Sequence, residues 1–137
     1  MFLSRTRSVV SALALLACIA ACAACGSSAR TKALHATYAT LKATSTAFVA
    51  WDAQTQDGIV EKATSLEEGQ AALVKHRHDR EPVVFGFLAA YEALTAAYQN
   101  NTPERFAAAL KAAAQVYKLL ERVAPGLLPT DLKKVIP

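Results

Sequence analysis

Asn100-Asn101-Thr102-Pro103-Glu104-Arg105-Phe106 is the stretch on which the fold turns. Two polar turn residues stop one helix. Thr102 then offers a hydroxyl to the backbone N–H groups left open at the start of the next, and Pro103 fills the first helical position, where its missing N–H costs nothing. Beyond it, Phe106, Leu110, Ala113, Tyr117, Leu120 and Ala124 recur at helical spacing, while Ala107, Ala108, Ala112 and Ala114 favour the helical backbone intrinsically. Pro125-Gly126 ends that helix. Thr130 is placed to cap a last short turn over residues 131–136, whose Leu132, Val135 and Ile136 would close one end of a core.

Upstream, Ser65-Leu66-Glu67-Glu68 reads as a capping box, with Ser65 accepting from the first turn and Glu68 reaching back to the amide of Ser65. The helix it starts runs to about Gln99 on a stripe of Leu73, Arg77, Arg80, Val84, Phe87, Tyr91, Leu94 and Tyr98. Pro82 lies inside it. Proline removes one helical hydrogen bond and crowds the carbonyl four residues back, at His78, which predicts a kink or a break near Arg80 to Pro82. Residues 30–64 carry Leu34, Tyr38, Leu41, Ser45, Phe48, Ile59 and Ala63 at helical spacing, with a soft spot at Asp57-Gly58. One long helix is the preferred reading, and two shorter ones the alternative.

Composition agrees with a helical fold. Of 137 residues 53% are apolar but only 7% aromatic, and 30 are alanine, so the core must be built from small side chains on closely packed helices. Five Gly and five Pro leave little for a turn-rich β sandwich or a low-complexity chain. The expected architecture is all-α. A signal helix precedes an elongated antiparallel helical hairpin, followed by a third helix laid along part of the hairpin and a short C-terminal turn. At about 1.5 Å per residue the hairpin is about 50 Å long and the third helix about 30 Å.

The first 28 residues decide the address. Arg5 and Arg7 precede an uncharged, Ala- and Leu-rich run from Val9 to Cys25, in the order of a secretory signal. That run is shorter than the ~20 residues a spanning helix needs. All three cysteines, Cys18, Cys22 and Cys25, sit at its end, so a disulfide framework for the domain fails. Cys22-Ala23-Ala24-Cys25 has haem-attachment spacing, but Gly26 stands where that chemistry needs His.

Ile19-Ala20-Ala21-Cys22 is an aliphatic residue, a small residue, Ala and Cys, and Gly26-Ser27-Ser28 is a flexible tether. In these features the segment resembles a bacterial lipoprotein signal with its lipobox. Leu15-Leu16-Ala17-Cys18 fits the same pattern with a bulky second residue, and Ala23-Ala24-Cys25 lacks the aliphatic one. The resemblance implies diacylglycerol on Cys22, with Cys25 and Cys18 as alternatives, and cleavage just before the modified cysteine. Residues 1–21 are then the signal peptide, residues 22–29 the acylated cysteine and tether, and residues 30–137 the helical bundle domain. Two or three acyl chains hold a protein at a membrane nearly permanently, at about 0.8 kcal/mol per buried CH₂. No acidic residue stands directly after Cys18, Cys22 or Cys25, which for this class in a two-membrane bacterium favours the periplasmic leaflet of the outer membrane.

The net charge of +4 falls to about +2 once Arg5 and Arg7 are removed, too close to neutral for a nucleic-acid partner. His76 with Asp79 or Arg80 gives at most two metal ligands on one helix face, with a cation beside them, so His76, His78 and Asp79 read as a surface charge cluster, and His35 as an ordinary surface residue. Arg77 and Arg80 fall on the apolar stripe. They must pair with Asp52, Asp57 or Glu61 as a polar layer in the hairpin, or mark an anion-binding place. The chain has no nucleophile beside a base, no glycine-rich phosphate loop and no paired acids, so neither catalysis nor a cofactor is expected. The sequence therefore points to a lipid-anchored helical module with a protein partner in the cell envelope, acting by binding or structure. Its rivals are a small-ligand or metal-binding bundle lined by Tyr91, Tyr98, Tyr117 and the two arginines, and a membrane-active envelope component using the third helix.

Overall fold

The computed structural model describes residues 26–128. The signal segment, its three cysteines and the short turn expected over 131–136 lie outside the described residues. Three helices follow one another: α1 (Ser27–Lys62), α2 (Leu66–Gln99) and α3 (Pro103–Val123). Among the described residues there is no strand. The fold is all-α. α3 packs most extensively on α2, α1 pairs with α2, and the contact between α1 and α3 is the narrowest of the three.

α1 is one unbroken helix that passes through Asp57-Gly58. α2 starts where the capping box places it, with the Ser65 hydroxyl accepting from the Glu68 amide at 3.2 Å. The other half of the box differs from expectation. The Glu68 carboxylate takes the Thr64 hydroxyl at 2.6 Å and the Thr64 amide at 3.0 Å, one residue before Ser65, and these bonds hold it below the usual carboxylate range. α2 also runs unbroken through Pro82. Both Pro82 and His78 are exposed, so the carbonyl that proline leaves without a donor lies on the solvent side, where water can satisfy it.

α3 begins as its sequence dictates: Thr102 accepts from the Arg105 amide at 3.3 Å, and Pro103 is the first helical residue. The turn before it is more than a stop. Asn101 donates to the Ser27 carbonyl and the Thr31 hydroxyl, and the Arg30 guanidinium donates to the Asn101 side chain and carbonyl. These bonds clamp the α2–α3 turn to the start of α1, fixing which end of the hairpin α3 covers.

The core joins Leu34, Leu41 and Phe48 of α1 to Val83, Phe87, Ala90, Leu94 and Ala97 of α2 and to Phe106, Ala109, Val116 and Leu120 of α3. On α2 the buried row is displaced from the expected stripe. Val83, Ala90 and Ala97 are buried, whereas Val84 and Tyr98 are substantially exposed. The close approach of α3 accounts for this. A Cβ built at Gly86 would stand 3.0 Å from Leu119 Cδ1 and 3.5 Å from Val116 Cγ2, so small residues take the places beneath α3 and the larger ones border it.

Candidate functional site

Past the end of α3, the hairpin holds a polar layer built by two helical spacings. On α1, Asp52 and Gln56 are one turn apart, and on α2 so are His76 and Arg80. Asp52 is buried, with a relative exposure of 8%. Its Oδ1 is bonded to His76 Nε2 at 2.7 Å, and its Oδ2 accepts from Arg80 Nη1 at 2.5 Å and from Gln56 Nε2 at 3.0 Å. The His76 ring tilts against Trp51 at 5.6 Å between centroids, Trp51 stacks on Phe48, and Phe48 meets Phe87. An aromatic floor thus separates the charged layer from the aliphatic core.

Of the three acids expected to pair with the arginines, Asp52 is the one used, while Asp57 and Glu61 are exposed. Arg80 joins the layer half-buried. Arg77 is exposed, off the buried face, and among the described residues no ion pair includes it. His76 is the residue sequence reasoning missed: read as part of a surface cluster, its side chain is 10% exposed and turned inward, while His78 and Asp79 are exposed as expected. The signal was present, because His76 lies seven residues before the buried Val83.

No protein-family model, curated protein or solved structure matches this chain. What the layer can do must therefore be argued from its chemistry. Both Asp52 oxygens are engaged by donors, and no buried side-chain polar atom among the described residues lacks a partner. Nor do three His, Cys, Asp or Glu residues among them group as metal ligands would. A carboxylate saturated by groups from both helices acts as a register pin: sliding α1 against α2 by one residue would strand a buried charge.

The tyrosines expected around a cavity are instead each occupied. Tyr91 shares a hydrogen bond with Ser45 at 3.1 Å, Tyr98 lies against His35, and Tyr117 is buried with Thr44 near its hydroxyl. An open cleft of about 430 Å³ lies nearer the α1–α2 turn, between Thr55, Ile59, Lys62, Glu68 and Ala72.

Burial pushes the Tyr117 hydroxyl up to about 12, partly offset by the nearby Thr44 side chain. A folded-state value above the unfolded one stabilises fully below about pH 10, and that contribution is lost as pH rises toward about 12, a matter of about 3 kcal/mol. Tyr117→Phe is expected to change stability by no more than about 1 kcal/mol near neutrality, and to flatten the decline in alkali because the buried group that ionises is gone. Urea midpoints of both proteins across the alkaline range check this. Parallel declines would show that Tyr117 titrates freely in the folded state.

Proposed function

We propose that this chain is a lipid-anchored, non-catalytic module of the bacterial cell envelope, acting through a protein partner and held at the periplasmic leaflet of the outer membrane by acyl chains on Cys22. The observation that carries the proposal is the sequence of the first 28 residues: a basic start, an uncharged run, Ile19-Ala20-Ala21-Cys22 and a Gly-Ser tether. Two structural facts accord with it. Among the described residues no helix is long and apolar enough to cross a membrane. The helical body begins at Ser27, inside the Gly26-Ser27-Ser28 stretch expected to be a flexible tether and five residues after Cys22, and its first turn is clamped to the α2–α3 turn, which keeps any anchor close to that end of the hairpin.

On this reading the clamped end faces the membrane. The Asp52 layer then stands about 37 Å farther out along α1 at about 1.5 Å per residue. α3 braces the membrane-proximal part of the hairpin, and the distal part projects toward the partner.

Cys22→Ser is expected to abolish incorporation of a fatty-acid probe in cells. Labelling that survives in this variant but not with Cys25 or Cys18 also replaced would move the acylation site. A wild-type chain recovered with Met1 in place and no added mass would refute the anchor.

A further inference from the structure

We infer that the open face of the α1–α2 hairpin is a pairing surface for a second copy of this chain, the two hairpins lying in the same direction with α1 of each over α2 of the other. The inference is independent of the lipid anchor. It starts from where apolar surface is left over. Among the described residues, every large apolar side chain that is strongly exposed lies on α1 or α2 and none on α3. Tyr38, Val49 and Val60 follow one another at eleven-residue intervals, three helical turns, and so form a straight row along α1. Val84 and Tyr98 of α2 lie on the heptad row of Tyr91, with Leu88 beside it. The two rows adjoin, because Tyr38 meets Tyr91 ring to ring and Tyr98 lies against His35. α3 approaches α2 elsewhere, at Gly86, about 200° round the helix from Val84 at about 100° per residue. The result is a long two-helix face, with Val49 66% and Leu88 54% exposed at its middle.

Charge selects the occupant. Lys42 and Asp57 border the row on α1, and Glu92 and Arg77 border it on α2; all four are exposed, and among the described residues none is in an ion pair. Contacts across the hairpin fix their heights. Lys42 lies between Tyr38 and Ser45, which both touch Tyr91, so it is level with Glu92. Asp57 lies just beyond Asp52, which is bonded to His76 and Arg80, and this brings it within about one turn of the height of Arg77. Val49 follows Phe48, which meets Phe87, and is therefore level with Leu88 and Val84.

A two-fold axis parallel to the helices lays α1 of one copy over α2 of the other at equal height. Lys42 then meets Glu92 of the second copy, Asp57 meets Arg77, and Val49 packs on Leu88 and Val84. Each pairing occurs twice, as a self-complementary interface requires. The head-to-tail alternative stacks like helices, and the register that sets Lys42 against Asp57 drops Arg77 onto Leu88. The parallel arrangement also leaves both Ser27 ends on one side.

The test is the mass of the full chain in excess non-ionic detergent by sedimentation equilibrium. The wild type is expected at twice the mass of one chain. Lys42→Glu and Glu92→Lys should each weaken pairing about tenfold, and the two together should restore it, because the exchange re-forms the ion pairs and relieves like-charge contact. That rescue separates pairing from chance sharing of a micelle. Leu88→Glu should give single chains with helicity unchanged by circular dichroism. A wild type at single-chain mass, as expected if a different protein or a lipid surface covers this face, would overturn the inference. So would a double charge variant no better than either single one, or a Leu88→Glu chain that still pairs.

Discussion

Asp52→Ala is expected to lower the unfolding free energy by about 2–3 kcal/mol, among the largest effects of any polar substitution in this chain. The magnitude follows from what is left behind. His76 Nε2 and Gln56 Nε2 lose their acceptor inside the layer, and the Arg80 guanidinium loses its only ion-pair partner among the described residues. Arg80 is 30% exposed and can turn to water, which keeps the cost below that of a wholly buried pair. His76 has less freedom, being enclosed by Trp51 and α1.

The physical cause can be separated from mere loss of a contact. Replacing the whole layer, with Asp52→Leu, His76→Leu and Arg80→Met together, should recover most of the loss, because no charge is then orphaned. Urea unfolding decides it: the midpoint should fall for Asp52→Ala, with the slope unchanged, and return in the triple variant. An Asp52→Ala midpoint equal to that of the wild type would mean that the layer sets register without contributing net stability.

How much of this was legible beforehand depended on side-chain size. Helix limits were, because they are set by local chemistry: the Ser65 and Thr102 caps, the Pro103 start and the Pro125-Gly126 stop each act on one or two backbone groups. The identity of the buried row on α2 was not. Two heptad rows run beside Phe87 and Leu94. One carries Val84, Tyr91 and Tyr98, the other Val83, Ala90 and Ala97. Hydrophobicity favours the first, since tyrosine and valine bury more area than alanine.

Packing favours the second, because α3 comes so close at Gly86 that only small residues fit beneath it, and its own Ala109 and Ala113 supply the matching surface. The same displacement decided the candidate site. Extended toward the α1–α2 turn, the first row passes through Arg77 and the second through His76, so choosing the larger side chains put the wrong cation in the core. Arg80 lies on the row of Phe87 and Leu94, which both readings share, and its pairing with an α1 acid was therefore recoverable. The clamp made by Asn101 and Arg30 was invisible for another reason: residues so far apart in the chain meet only once the antiparallel order of all three helices is set.

The largest expected effect belongs to Phe106→Ala, at about 3–5 kcal/mol. Phe106 is fully buried in the first turn of α3, just after the Thr102 cap, and belongs to the core cluster that joins all three helices. The core cluster it belongs to includes Ala90, Ala97 and Ala109, which have no side-chain freedom with which to fill a void, so the cavity is expected to stay open and its lining to lose contact. The position magnifies the loss. α3 meets α1 only narrowly, so the Asn101 clamp and the packing of Phe106 are what tie the start of α3 to the α1 end. Loosening one should expose the other, and hydrogen exchange at the Phe106 and Arg105 amides is expected to speed up more than exchange in the middle of α2.

Phe85→Ala provides the internal control, since the same atoms are removed from a ring that is 61% exposed on α2. Its effect on unfolding should stay within about 0.5 kcal/mol. Equal losses at the two positions would contradict the burial pattern on which the fold of this alanine-rich chain rests. A large loss at Phe106 alone would show that a core made mostly of small residues concentrates its dependence on the few large ones it contains.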